Sequence, residues 1–129
     1  MLVKRFTYTV TKTITEERIK DIIIDGIETG IRYWATLHND TEEFEKYYNT
    51  TDLSTSEIVA EILLNGGEVE ITGLEGDEEP KYKLTLERLL KGIAMNEERR
   101  PHDCDLENYD AITCYAIFQY ALYDEVVFG

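Results

Sequence analysis

The chain opens on an alternation of apolar and polar positions. In "RFTYTVT", Phe6, Tyr8 and Val10 alternate with Arg5, Thr7, Thr9 and Thr11. Period two with aromatic and β-branched residues predicts a half-buried N-terminal strand, ending over Thr13 to Thr15. The period then changes. Ile19, Ile23, Ile27, Ile31 and Trp34 recur three and four apart, with Ile22 and Leu37 widening the stripe. That spacing predicts an amphipathic helix. Thr15 is its expected N-cap, Glu16 and Glu17 suit the positive end of its dipole, and His38-Asn39-Asp40 is its expected close.

A short helix is expected in "DTEEFEKYYN", where Asp40 and Glu43 have capping-box spacing. Ser54 and Glu57 form a second capping box and open a helix that Asn65-Gly66-Gly67 stops. Val69 and Ile71, then Tyr82, Leu84 and Leu86, alternate again on either side of "GLEGDEEPK", which predicts a hairpin. A helix follows from about Thr85, then a loop broken by Pro101. "LENYDAITCYAIFQYALY" is apolar nearly all round, as expected of a helix central to the core or half buried in an interface. "EVVFG" reads as a short strand. The order predicts one α+β domain over 1–129. Its small, mainly antiparallel sheet is built from the N-terminal strand plus the hairpin, packed with four to five helices.

Composition adds limits. The 129 residues suit one hydrophobic core, and 43% apolar content suits a globular chain. No apolar run has membrane-spanning length and the start does not read as a signal peptide, so no membrane partner and a cytoplasmic location are expected. Cys104 and Cys114 read as thiols rather than a disulfide. The net charge is −14, from 27 acidic and 13 basic residues. Such a chain repels phosphate backbones, which disfavours direct nucleic-acid binding. The same charge can keep a protein soluble, or imitate a phosphate array and occupy a basic groove on another protein.

Catalytic chemistry finds little support. His102-Asp103-Cys104 lacks a recognisable base and oxyanion hole, and the nearby carboxylates would raise the thiol pKa. Asp21, Asp25 and Glu28 form a carboxylate stripe that reads as a solvated helix face. Two histidines and two cysteines without ligand spacing predict no metal, and no cofactor motif is present. The protein therefore reads as a non-enzyme.

Three binding features remain. Gly26 and Gly30 lie four apart, and each costs roughly 1 kcal/mol against alanine inside a helix, so something must approach closely. The favoured reading is internal close packing. The alternative is a ligand over the glycines, gripped by Arg32, Tyr33 and Trp34. Glu75, Asp77, Glu78 and Glu79 in the hairpin connection, with Asp124 and Glu125 near the end, are candidate protein-binding carboxylates. Tyr109, Tyr115, Tyr120 and Tyr123 crowd the last helix and suit either the core or self-association into a homo-oligomer.

"DIIIDGIETGIRYWA", "NGGEVEI…YKLTLERLLKGI" and "YAIFQYALYDEVVFG" together resemble a family of small uncharacterised acidic proteins encoded by bacteriophages and prophages. The resemblance covers most of the chain in the same order and contains no motif of known chemistry. It implies a phage or mobile-element accessory protein acting in the host bacterial cytoplasm. By analogy, its first expected function is to inhibit a bacterial defence protein by binding, as an anti-CRISPR-like inhibitor or nucleic-acid mimic. The alternatives are sequestration of a small nucleotide signal used in bacterial immunity, and a structural or replication accessory role.

Overall fold

Thr15 caps the first helix as expected. Its side chain accepts from the Arg18 amide at 3.2 Å, and α1 runs Glu16–Asp25 with Ile19, Ile22 and Ile23 buried. A computed structural model describes residues 2–31, 35–73, 82–99 and 111–124. After α1 come a π-helical turn (Gly26–Gly30), β1 (Ala35–Leu37), α2 (Glu42–Thr50) and α3 (Thr55–Leu64). They are followed by β2 (Val69–Gly73), β3 (Tyr82–Leu84), α4 (Leu86–Arg99) and α5 (Ala111–Tyr123). This is a single α+β domain, with five α-helices and a three-stranded antiparallel sheet in the order β1-β2-β3 among the described residues.

The hairpin forms in the expected place, pairing Val69 with Leu84 and Ile71 with Tyr82. The third strand is not the N-terminal one. Ala35–Leu37 takes the place beside β2, with Ala35 opposite Gly73 and Leu37 opposite Ile71. Residues 2–13 are exposed and carry no secondary structure, so the alternation at Phe6, Tyr8 and Val10 meets no sheet within this chain. Alternation reports that a segment can form a strand. The strand itself also needs an edge to pair with.

The same exchange shortens the first helix. The stripe was expected to continue through Trp34 to Leu37, but Ile31 is the last residue with helical backbone before residues 32–34, which lie outside the described residues. At Ala35 the chain is a strand, buried, exposed and half-buried in turn. Ala35 and Leu37 fit either period, and the ladder to β2 decides between them.

Local signals held elsewhere, with one shift. The cap of α2 is Thr41, accepting from the Phe44 amide at 3.4 Å, rather than the expected Asp40 and Glu43 pair. The Ser54–Glu57 capping box of α3 is complete in both directions. Its C-terminus closes as a Schellman motif, with Gly66 at φ 85°. The Gly67 amide bonds the Ile62 carbonyl at 2.8 Å and the Gly66 amide bonds the Leu63 carbonyl at 3.1 Å. Thr85 caps α4 by accepting from the Arg88 amide at 3.2 Å, and α4 extends to Arg99, into the stretch read as loop. "EVVFG" lies outside the described residues.

α5 is the centre of the core. It packs against α4, the π-helical turn, α1 and β3. Cys114 and every residue from Ala116 to Leu122 are buried, Gln119 included. Tyr120 and Tyr123 belong to this packing: Tyr123 meets Tyr82 edge-on at 4.8 Å between centroids, and the Arg99 guanidinium lies 5.6 Å over the Tyr120 ring. The aromatic residues described on α5 thus face inward.

Candidate functional site

Gly26 answers the question its spacing raises. A Cβ there would lie 2.2 Å from the edge of the Phe118 ring, which is itself buried. The backbone around it is a π turn, in which the Ile31 amide bonds the Gly26 carbonyl five residues back. The wider turn keeps Ile27 and Ile31 in the core while leaving room for the ring. Gly26 is therefore a close-packing position. Gly30 ends the same turn. A second close approach was not anticipated. A Cβ on Gly92 would lie 2.4 Å from the Ile117 carbonyl oxygen and 3.0 Å from the Ala121 amide, so α4 and α5 touch backbone to backbone. "LLKGIAM" carried the signal, since a glycine inside a helical pattern marks such contacts.

Other candidates fall as follows. Arg32, Tyr33 and Trp34, and Glu75, Asp77, Glu78, Glu79 and Glu125, lie outside the described residues, as do His102 and Cys104. Asp21 and Glu28 are exposed, and Glu28 accepts from the Ser56 hydroxyl at 2.8 Å. Among the described residues no group of three or more His, Cys, Asp or Glu could hold a metal. No described helix is long and apolar enough to cross a membrane.

Asp124 has a structural task. It sits just past α5 at φ 62°, where its amide bonds the Tyr120 carbonyl at 3.1 Å. Its carboxylate pairs with Lys91, and Arg99 donates to its backbone carbonyl at 2.8 Å. It thereby fastens the end of α5 to α4. The Lys91 hydrogen bond, then the Lys91 charge, hold its carboxyl below the ordinary value of 3.8. A depressed folded-state pKa contributes stability that is complete above that ordinary value. The contribution is lost as pH falls through the depressed value. Asp124→Asn, which tolerates the left-handed backbone, should flatten this part of the acid limb when unfolding is followed by circular dichroism. Asp124→Ala should also lower the melting temperature at neutral pH, since alanine accepts that conformation poorly.

A concave feature lies at the opposite end of β2 from the hairpin connection. His38, Thr41, Glu42, Glu43 and Phe44 face Glu68, Val69 and Glu70 across a cleft of about 390 Å³. β1 delivers His38, whose amide bonds the Glu70 carbonyl at 3.0 Å and whose Nε2 lies 2.6 Å from the Thr72 hydroxyl. The Thr41 cap sets Glu42 and Glu43 on the first turn of α2, and Glu43 reaches close to the Gly67 backbone. Glu68 and Glu70 share one face of the β2 backbone by their alternate spacing. Glu68 lies 3.4 Å from Lys83, which is on β3 and outside the lining. Among the described residues the lining contains four carboxylates and no lysine or arginine. It suits a cationic group, since carboxylates accept charge-assisted hydrogen bonds from guanidinium or ammonium. In the sequence these glutamates fall in two separate segments, and tertiary packing brings the first turn of α2 beside the start of β2.

The chain matches no family model, no curated protein and no solved structure.

Proposed function

We propose that the protein is a non-enzymatic binding protein of phage or mobile-element origin that inhibits a bacterial defence protein by capturing a basic surface on it. The carrying observation is the cleft lined by Glu42, Glu43, Glu68 and Glu70, with no lysine or arginine among the described lining residues, on a chain of net charge −14. Carboxylates spaced over two elements present negative charge where a nucleic-acid-binding partner receives phosphates. Complementary charge of this kind speeds encounter and makes binding fall with salt.

The test is capture from a defended bacterial host. The wild-type protein should retain a basic host protein at low salt and release it as salt rises. The variant Glu42→Gln/Glu43→Gln/Glu68→Gln/Glu70→Gln should not retain it. Equal retention by the variant would remove the cleft from the account.

A second reading, sequestration of a small nucleotide signal, draws on the π-helical turn immediately before Arg32. Such turns are frequent at functional sites. The Phe118 contact supplies a packing reason for this one, which places the reading second.

A further inference from the structure

The segment 2–13 poses a physical problem that the fold leaves unsolved. Phe6, Tyr8 and Val10 are 87%, 88% and 63% exposed, and Leu2 and Val3 are exposed with them. Large apolar side chains gathered in one exposed segment mark an interaction surface. This segment also has the period of a strand. Ile14 packs against the core and Lys12 pairs with Glu97 on α4, so the base of the segment is fixed while the alternating part stands clear.

Two further observations identify what covers it. The first is a sheet edge in the same chain that no described strand covers. β1 pairs with β2 on one side, and no strand lies on its other side among the described residues. An uncovered edge presents a row of backbone donors and acceptors to any strand that reaches it. The other edge strand, β3, is flanked by α5, and its Tyr82 is packed on Tyr123. The second observation is charge. Residues 1–15 contain Lys4, Arg5 and Lys12 and no acidic residue, whereas all 27 carboxylates lie beyond them. The segment is the basic part of an acidic chain, which fits it to the body of another copy. Two such segments laid against each other would bring like charges together, and like charges opposite one another destabilise a sheet.

We infer that residues 2–13 form an exchanged strand: in a homodimer, each copy lays Phe6, Tyr8 and Val10 along the outer edge of β1 in the other. A two-fold symmetric exchange uses the same two surfaces twice and closes on itself. Backbone bonds of strand addition supply affinity, and the alternate side chains set the register. This goes beyond the proposed function and does not depend on it.

The experiment is sedimentation and native mass spectrometry of the full chain beside two variants. Wild type should be a dimer. Phe6→Ser/Tyr8→Ser should weaken dimerisation by about 100-fold or more, because both aromatic anchors are lost from each arm. Lys4→Glu/Arg5→Glu should weaken it in the same direction by removing the charge complement. Both variants should keep the wild-type helical circular dichroism, since the substituted side chains are exposed within the chain. Amide exchange over residues 5–11 should be slow in the wild-type dimer and fast in both variants. A monomeric wild type overturns the inference and turns the segment toward a foreign partner. A dimer that survives both variants overturns it equally.

Discussion

Gly92→Ala is expected to destabilise the protein by about 2 kcal/mol, although alanine is the better helix former by roughly 1 kcal/mol. The added methyl would meet the Ile117 carbonyl oxygen at 2.4 Å and the Ala121 amide at 3.0 Å. Neither group can turn aside as a flexible side chain does, because both belong to the backbone of α5. Relief requires α4 and α5 to separate, which opens gaps along the interface around Leu89 and Ile93. Over-packing of this kind costs about 1–3 kcal/mol and at times more, enough to outweigh the propensity gain. Thermal unfolding should show a melting temperature lower by roughly 8 °C for a domain of this size. An unchanged or higher melting temperature would mean that the two helices do not approach as described.

Phe118→Ala should cost more, about 3–5 kcal/mol, because it removes a fully buried aromatic ring and leaves a cavity at the junction of α5 with the π-helical turn. Stability of a small domain is about 5–15 kcal/mol, so the variant should unfold at markedly lower denaturant. The same ring makes Gly26→Ala destabilising, since the new methyl would lie 2.2 Å from it. A coupled result follows. In Gly26→Ala/Phe118→Leu the smaller side chain yields space to the methyl, so the double variant should be more stable than the two single losses predict. Denaturant titration of the four proteins gives this interaction energy directly. Strict additivity would show that Gly26 and Phe118 do not share one space.

What could be read from the sequence was what is local. Thr15, Ser54 with Glu57, and Gly66 set helix ends through bonds spanning a few residues, and those ends lie where the spacing placed them. The hairpin was legible because β2 and β3 are close in sequence and alternate cleanly. The partner of β2 on its other side was not legible. Residues 5–11 have the better strand pattern, yet Ala35–Leu37 takes the edge. That choice rests on tertiary contacts that periodicity does not record. The extended first helix failed for a related reason: Ile27 and Ile31 satisfy the helical stripe, but by Ala35 the chain is a strand laddered to β2.

The site divides in the same way. Gly26 announced a close approach by its chemistry alone, and a Cβ there would lie 2.2 Å from the Phe118 ring. Asp124, a candidate protein-binding carboxylate in the sequence, also fastens α5 to α4 through Lys91 and Arg99. The cleft needed His38, the first turn of α2 and the start of β2 to meet, and no spacing in the sequence relates those three segments.

The most direct measurement is a phage-protection assay in a defended bacterium, comparing two variants at matched expression and melting temperature. Glu42→Gln/Glu43→Gln/Glu68→Gln/Glu70→Gln should lose protection, and Arg32→Ala should retain it. The reverse outcome, full protection by the glutamine variant and none by Arg32→Ala, would contradict capture of a basic partner and point to a small-ligand pocket.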